Sequence, residues 1–477
     1  MNLTIYSSLQ EMTGRLDGAL KIRDDGVDVL DPNVIRAELI DELVSTAVFG
    51  EGDVRDAARW VIRVIAPEMG AWPASIQDLY MASARGEYHN ITTPAINLRM
   101  LTYDMAQRVF RAAKATETKQ ILLELARSEM GYTDQRPAEY ASSVLGAAIR
   151  EGWNGPVMIQ GDHYQANAKA YAKDPDAEIG AVRDLAIEAL KAGYGNIDID
   201  SSTLVDLSYE RLIDQQKLNS RHTAELTKAI RDHEPDGWTI SIGGEIGEVG
   251  KENSTVEDLD AFMEGYEAEL DRIGNEIGGD IEDITGISKI SVQTGTSHGG
   301  IVLPDGSIKE VSVDFETLAK LSEAAKRYGM GGAVQHGAST LPESAFHKFA
   351  EADAVEVHLA TAFQNAIFDS AAFPDDLKRE MYAWLDVNRA SERKDGQTDE
   401  QFYYTTRKRA SGPFKRNLWE LPDEVRDEML GDLQPKFELI MQKLNVAGNG
   451  ELVDRYVTRM DVDVPAPDAV RTFVKAG

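Results

Sequence analysis

Cysteine is absent from the 477 residues. That excludes disulfides, zinc ribbons and thiol nucleophiles, suits a reducing compartment, and leaves histidine and carboxylate as the material for any metal site. Long apolar runs are also missing: none reaches the roughly 18 residues that crossing a bilayer requires. The opening MNLTIYSSLQEMTGRLDGALKIRDD has neither the basic nor the apolar region of an export signal. A cytoplasmic chain with no membrane partner is therefore expected. Positive charge is scarce, with 50 Lys and Arg against 81 Asp and Glu, a net charge of -31. Nucleic acid is disfavoured as a partner because its phosphates would be repelled. A small anionic substrate would need a local cluster of donors.

What is present is a regular alternation. Short apolar or alternating runs occur at 91–97, 119–126, 156–163, 196–201, 239–247, 289–295, 332–337 and 354–361. Between them lie segments such as EIGAVRDLAIEALKAG and DFETLAKLSEAAKRYG, whose apolar residues recur every three or four positions. Eight strands alternating with helices predict an α/β fold, a (β/α)8 TIM barrel whose active site sits at the carboxyl ends of the strands. The spacing places the barrel at residues 88–370, after an N-terminal helical extension (1–87) and before a C-terminal helical arm (371–477). The acidic stretch 251–286 reads as a long connection between strands five and six, of the kind that serves as a lid. Helical extensions at both ends suggest subunit contacts, in a homodimer or a higher homo-oligomer.

The chain has only eight histidines, and four fall at strand outlets. Strand three ends in Asp162 and His163, strand four in Asp200, Ser201 and Ser202, and strand five in Glu245. Strand six leads to His298, strand seven to His336, and strand eight carries His358 and Thr361. A barrel gathers such residues around one centre, and imidazoles with a carboxylate are what Zn2+ or another divalent metal binds. The alternative for each histidine singly is a hydrogen-bonded structural role. Around Gly299, Gly337, Ser339 and Thr361, glycines and hydroxyls at the outlets of strands six to eight could turn backbone N–H groups toward a phosphate, or form ordinary tight turns. No lysine stands at a strand outlet, which favours a metal over a Schiff base as the means of polarising a carbonyl.

The strings GDHYQ, IDSS, GEIGEVG, GTSHGG and QHGAST occur in that order on successive strands. Together they resemble the class II, metal-dependent fructose-bisphosphate and ketose-bisphosphate aldolases over roughly residues 88–370. The resemblance implies an aldehyde-lyase of carbohydrate metabolism: reversible retro-aldol cleavage of a phosphorylated ketose to a dihydroxyacetone-phosphate-like ketone and an aldehyde. It implies that His163, His298 and His336 hold zinc, with Glu245 an additional or alternate ligand. Asp162 would exchange a proton with the aldehyde oxygen. Gly299, Gly337, Ser339 and Thr361 would hold phosphate, and Asp200 and Ser202 would line the pocket.

Two positions depart from the family's pattern. His358 stands where the family has Asn, so substrate contact there must differ; it is assigned here to substrate contact, with a fourth metal ligand and a packing histidine as the alternatives. Where the family has a glutamate on its mobile loop, this chain offers Glu252 and then Asn253; Glu252 is assigned as a catalytic proton shuttle in shifted register, the alternative being a solvated lid residue. For a second phosphate, the arm offers Arg407, Lys408, Arg409, Lys415 and Arg416, or these form a solvated basic helix face; Arg416, ahead of Trp419, is similar to the family's arginine but not in register with it, and Lys309 is a further candidate. The competing functions are a metal-dependent sugar-phosphate isomerase or epimerase, and a non-catalytic barrel subunit of an aldolase complex.

Overall fold

In the computed structural model, the residues described are 3–247, 252–277, 284–295, 312–460 and 462–476, with backbone alone for 301–302 and 308–309. Eight parallel strands close into a barrel: β1 (Thr93–Asn97), β2 (Leu122–Ala126), β3 (Gly155–Gln165), β4 (Asn196–Asp200), β5 (Ser241–Glu245), β6 (Lys289–Val292), β7 (Ala333–Gln335) and β8 (Glu356–Leu359). Each pairs with the next, and β8 pairs with β1 to close the ring. The eight runs read from the sequence are these eight strands.

Strand side chains alternate between the helices outside and the pore within. On the outside, Ile197, Ile199, Val357 and Leu359 are fully or almost fully buried in the main apolar core. Inside, the amino-terminal layer is apolar: Ala95, Leu122, Met158 and Val334 pack on Ile76, Leu79 and Tyr80. The last two belong to the helix Gln77–Ala84, and the cluster closes the pore from below. One step up, β2 and β3 present Glu124 and Gln160, and β4, β6 and β8 add Asp198, Lys289 and Glu356, all buried.

The connection 251–286, read as a lid, is organised differently. Residues Val256–Ile277 form a 22-residue helix. It packs along the helix Leu212–Arg231 and buries Leu259, Phe262, Met263, Tyr266 and Leu270. Those positions recur at intervals of three and four, so an acidic exterior masked an amphipathic barrel helix.

The N-terminal segment carries, besides its helices, a hairpin pairing Leu20–Ile22 with Val27–Val29 and a short strand, Ala71–Pro73, that pairs with the start of β3. The C-terminal arm is a run of helices, of which Leu433–Lys443 packs on Thr102–Ala115. The two extensions meet at Trp419, whose ring stands edge-on to Phe49 at 5.3 Å and stacks on Tyr103 at 6.2 Å.

Candidate metal-dependent active site

A local irregularity in β3 builds the centre of the site. Between Gly161 and Tyr164, β3 spends two residues, Asp162 and His163, against the single Asp198 of β4. The bulge brings two consecutive side chains to the cavity instead of sending one outward. His163 takes φ +40 to do so, a backbone conformation that costs a β-carbon-bearing residue about 1–3 kcal/mol. Gly161 makes room for the fold-back, since a Cβ there would stand 2.4 Å from the Tyr164 ring.

The two described imidazoles of the expected metal set face each other. His163 Nε2 lies 2.5 Å from His336 Nδ1, with the rings at 81°. Each outer nitrogen is held. His163 Nδ1 meets Asp200 Oδ2 at 3.0 Å and Glu245 Oε2 at 3.1 Å, and His336 Nε2 meets Ser291 Oγ at 3.1 Å. A carboxylate on the far nitrogen fixes the tautomer and leaves the facing nitrogen as a lone-pair donor, the arrangement typical of metal-binding histidines. Asp162 adds a carboxylate oxygen, with Oδ1 3.8 Å from His163 Nε2, and one ligand atom from each of Asp162, His163 and His336 lies within 4.8 Å of the others. The donor set, nitrogen and oxygen without thiolate, suits a borderline divalent cation.

Electrostatics follow from burial and crowding. Burial opposes charge on His163, but Asp162 and Glu245 outweigh it and hold the imidazole well above its ordinary range. Burial and the Asp200 carboxylate push Glu245 up to about 7, against the pull of His163. Asp200 is held low despite burial, because His163, Ser202 and Gln165 all donate to it. A surplus of buried acid of this kind attracts a cation.

A cavity of about 590 Å³ opens over these groups, lined among others by Asp162, His163, Glu245, His336 and His358. Ser202, Gly337, Ser339 and Thr361 also line it. Glu245 stands at the Nδ1 side of His163, the opposite edge from His336, so here it orients the ring. His358 lies at the bottom, among carboxylates. Glu252 is exposed, and Asn253 donates to Asp314 at 3.1 Å. His298, Gly299 and the side chain of Lys309 lie outside the described residues.

Of the basic run in the arm, Arg416 pairs with Glu420 at 2.8 Å over the Phe49 ring. It sits on the exposed face of the short helix Lys415–Trp419 and is not brought to the cavity. Arg407 is taken by Asp369, Lys415 by Glu139 and Arg409 by Glu392. Lys408 instead lines the cavity and has no carboxylate partner among the described residues. Burial and nearby Arg99 hold its ammonium below the usual lysine range. Arg99 lines the cavity as well and is engaged by Glu129 at 2.6 Å.

The family model for class II fructose-bisphosphate aldolase matches residues 79–410. The chain belongs to the class II fructose-bisphosphate aldolase family. No curated protein matches it. Among solved structures, it is similar to a Sinorhizobium meliloti protein titled "probable tagatose 6 phosphate kinase", at 15% identity and TM-score 0.52, over 76% of this chain and 99% of that one. It is similar also to fructose-bisphosphate aldolase of Campylobacter jejuni, at 16% identity and TM-score 0.43, over 78% of this chain and 97% of the other. A third is the fructuronate-tagaturonate epimerase of Cohnella laeviribosi, at 15% identity and TM-score 0.43, over 78% and 82%. At such identities the first likeness speaks to the barrel alone. Within this aldolase-family barrel, Lys289 is the buried lysine nearest the chemistry, and Asp198 and Glu356 keep it charged against burial. A charged ammonium is a poor Schiff-base nucleophile, which agrees with the metal-dependent character of the family.

Proposed function

We propose that the protein is a zinc-dependent aldolase of the cytoplasm, cleaving a phosphorylated ketose into a dihydroxyacetone-phosphate-like ketone and an aldehyde. The observation that carries this reading is the pair of facing nitrogens on His163 and His336, each ring fixed from behind, with Asp162 beside them. His163 and His336, with His298, would hold the ion. When bound, it supplies Lewis-acid polarisation of the ketone.

The chain's own residues do the rest. Asp162, buried at the base of the cavity, accepts the proton of the hydroxyl that becomes the aldehyde oxygen as the carbon–carbon bond breaks. In the synthetic direction it returns that proton. Asp200 and Glu245 hold the His163 ring in one orientation, with its Nε2 toward His336. Gly337, Ser339 and Thr361 receive the phosphate of the ketone half, Thr361 at the amino end of the helix Thr361–Phe368. Lys408 supplies the positive charge that the acidic chain otherwise lacks here.

The test is a panel of phosphorylated ketoses with zinc-loaded protein, scored for aldehyde and triose release. The expected result is aldehyde formation that falls on the order of 10³-fold in His336→Ala, with an unchanged circular dichroism spectrum. Epimer without free aldehyde would replace the lyase with an epimerase, and no turnover of any ketose phosphate would remove the proposal.

A further inference from the structure

Beneath the His163–His336 pair lies a second cluster, of which the aldol chemistry uses Asp162 alone. Four carboxylates, Glu124, Asp162, Asp198 and Glu356, share the pore with one ammonium, Lys289, and one imidazole, His358, all buried. Their hydrogen bonds are unequally distributed. Glu356 accepts from Lys289, from Gln160 at 2.8 Å, from Tyr80 at 2.5 Å and from His358 Nε2 at 2.6 Å. Glu124 accepts from Gln160 at 3.0 Å on Oε2, the oxygen that His358 Nδ1 also approaches, and its Oε1 has no hydrogen bond among the described residues. Glu124 is 1% exposed and lines the cavity floor.

His358 sharpens the imbalance. Its Nε2–H donates to Glu356, which leaves Nδ1 turned toward Glu124 Oε2 at 3.1 Å and Asp162 Oδ1 at 3.2 Å. Nδ1 has hydrogen-bond direction to neither oxygen. A lone pair facing two carboxylates is repulsive unless something positive sits among them. The spacing matches a shared ion: ligands about 2.0–2.2 Å from a tetrahedral centre stand about 3.4 Å apart. A proton on Nδ1 would leave two negative charges in excess in the pore and Glu124 Oε1 still unmet. A divalent cation leaves one and replaces the repulsion at Nδ1 with a shared ion.

We propose that Glu124, Asp162 and His358 bind a second divalent cation, below and distinct from the one assigned to His163 and His336. Glu356 is its orienting group, fixing the His358 ring through Nε2 as Asp200 and Glu245 fix His163. One nitrogen and two carboxylates, with no sulfur, select an ion of the Zn2+ or Mn2+ kind. His336 stacks on His358 with ring centroids 4.1 Å apart, so the two ions would be near neighbours.

The full-length protein, stripped by chelator, reloaded with excess Mn2+ and freed of loose ions by gel filtration, is counted by mass spectrometry and examined by electron paramagnetic resonance. Two ions per chain with a spin-coupled signal are expected. Glu124→Gln should hold one ion and give an isolated six-line signal, and His336→Ala should keep the Glu124 ion while losing its neighbour. A wild-type count of one overturns the site whether or not the variants fold, and so does Glu124→Gln retaining two. Absence of aldolase turnover in protein that holds two ions would count against the proposed function and leave this site standing.

Discussion

The pore of this barrel has two halves that obey different rules. Its lower half, Ala95, Leu122, Met158 and Val334 on the Gln77–Ala84 helix, is an ordinary apolar plug. Its upper half is a salt-bridged polar layer: Glu124 and Gln160 stand two residues beyond the plug's Leu122 and Met158, and Lys289 of β6 contacts Glu356 of β8 at 2.6 Å and Asp198 of β4 at 3.0 Å. The plug stabilises by removing carbon from water, and its members are independent of pH. The polar layer gains little net stability from its pairs, because each ion lost its hydration to enter; what it supplies is a fixed array of charge under the active site. Even the glycine pattern serves it: a Cβ on Gly243 of β5 would stand 2.4 Å from Asp198 Oδ1.

The sharpest way to break the comparison is one substitution in each half. Lys289→Met leaves Asp198 and Glu356 without their cation and is expected to cost about 3–5 kcal/mol. Lowering the pH should recover part of that loss, because the stranded carboxylates can then take up protons. Met158→Ala opens a cavity in the plug and should cost a similar ~2–5 kcal/mol, with no recovery at low pH. Urea unfolding of both variants between pH 5 and 8 measures the difference. Equal pH dependence in the two would mean that the upper layer is not held by charge.

Metal removal gives a smaller effect with the opposite sign from usual acid denaturation. Glu245 and Glu124 are raised above their ordinary 4.5 to about 7 by burial, with neighbouring carboxylates adding to it. Groups whose folded values are raised contribute stability that is complete below the unfolded value and is lost as pH climbs through the folded one. His163 and His358, also raised, act in the same direction. Chelated protein should therefore melt at lower temperature at pH 8 than at pH 6. Restoring the divalent ion should raise the melting temperature more at pH 8, as scanning calorimetry with and without chelator would record.

The eight strands were legible because their apolar residues alternate or run together between turn residues, and that local signal survives without knowledge of packing. The motif residues of β3, β4, β5 and β7 were legible for the same reason, each standing where a strand ends. The polar layer left a trace that is readable in retrospect: Gln160 and Asp162, Asn196, Asp198 and Asp200, and Glu356 and His358 are polar at every second position in otherwise apolar strands. Such parity marks the pore side, yet singly each looks like a strand-end polar residue. The helix Val256–Ile277 was obscured by its acidic exterior. The bulge at Asp162 and His163 depends on the register of two strands, which no single segment encodes.

The arm shows where sequence proximity fails altogether, and it yields the smallest and most discriminating prediction. Five cations lie within ten residues of one another, and family likeness pointed to Arg416. The fold gives four of them carboxylate partners and turns Lys408 into the cavity. A charged contact to an anionic substrate is worth about 1.5–3 kcal/mol, so Lys408→Ala should raise KM about 10- to 100-fold with a smaller change in kcat. Arg416→Ala removes a half-exposed pair with Glu420 and should shift stability by no more than about 0.5 kcal/mol, with KM unchanged in the isolated subunit. If Arg416→Ala instead raises KM only at protein concentrations where the chain self-associates, the arm reaches a neighbouring subunit's cavity, and Lys408 and Arg416 serve different sites.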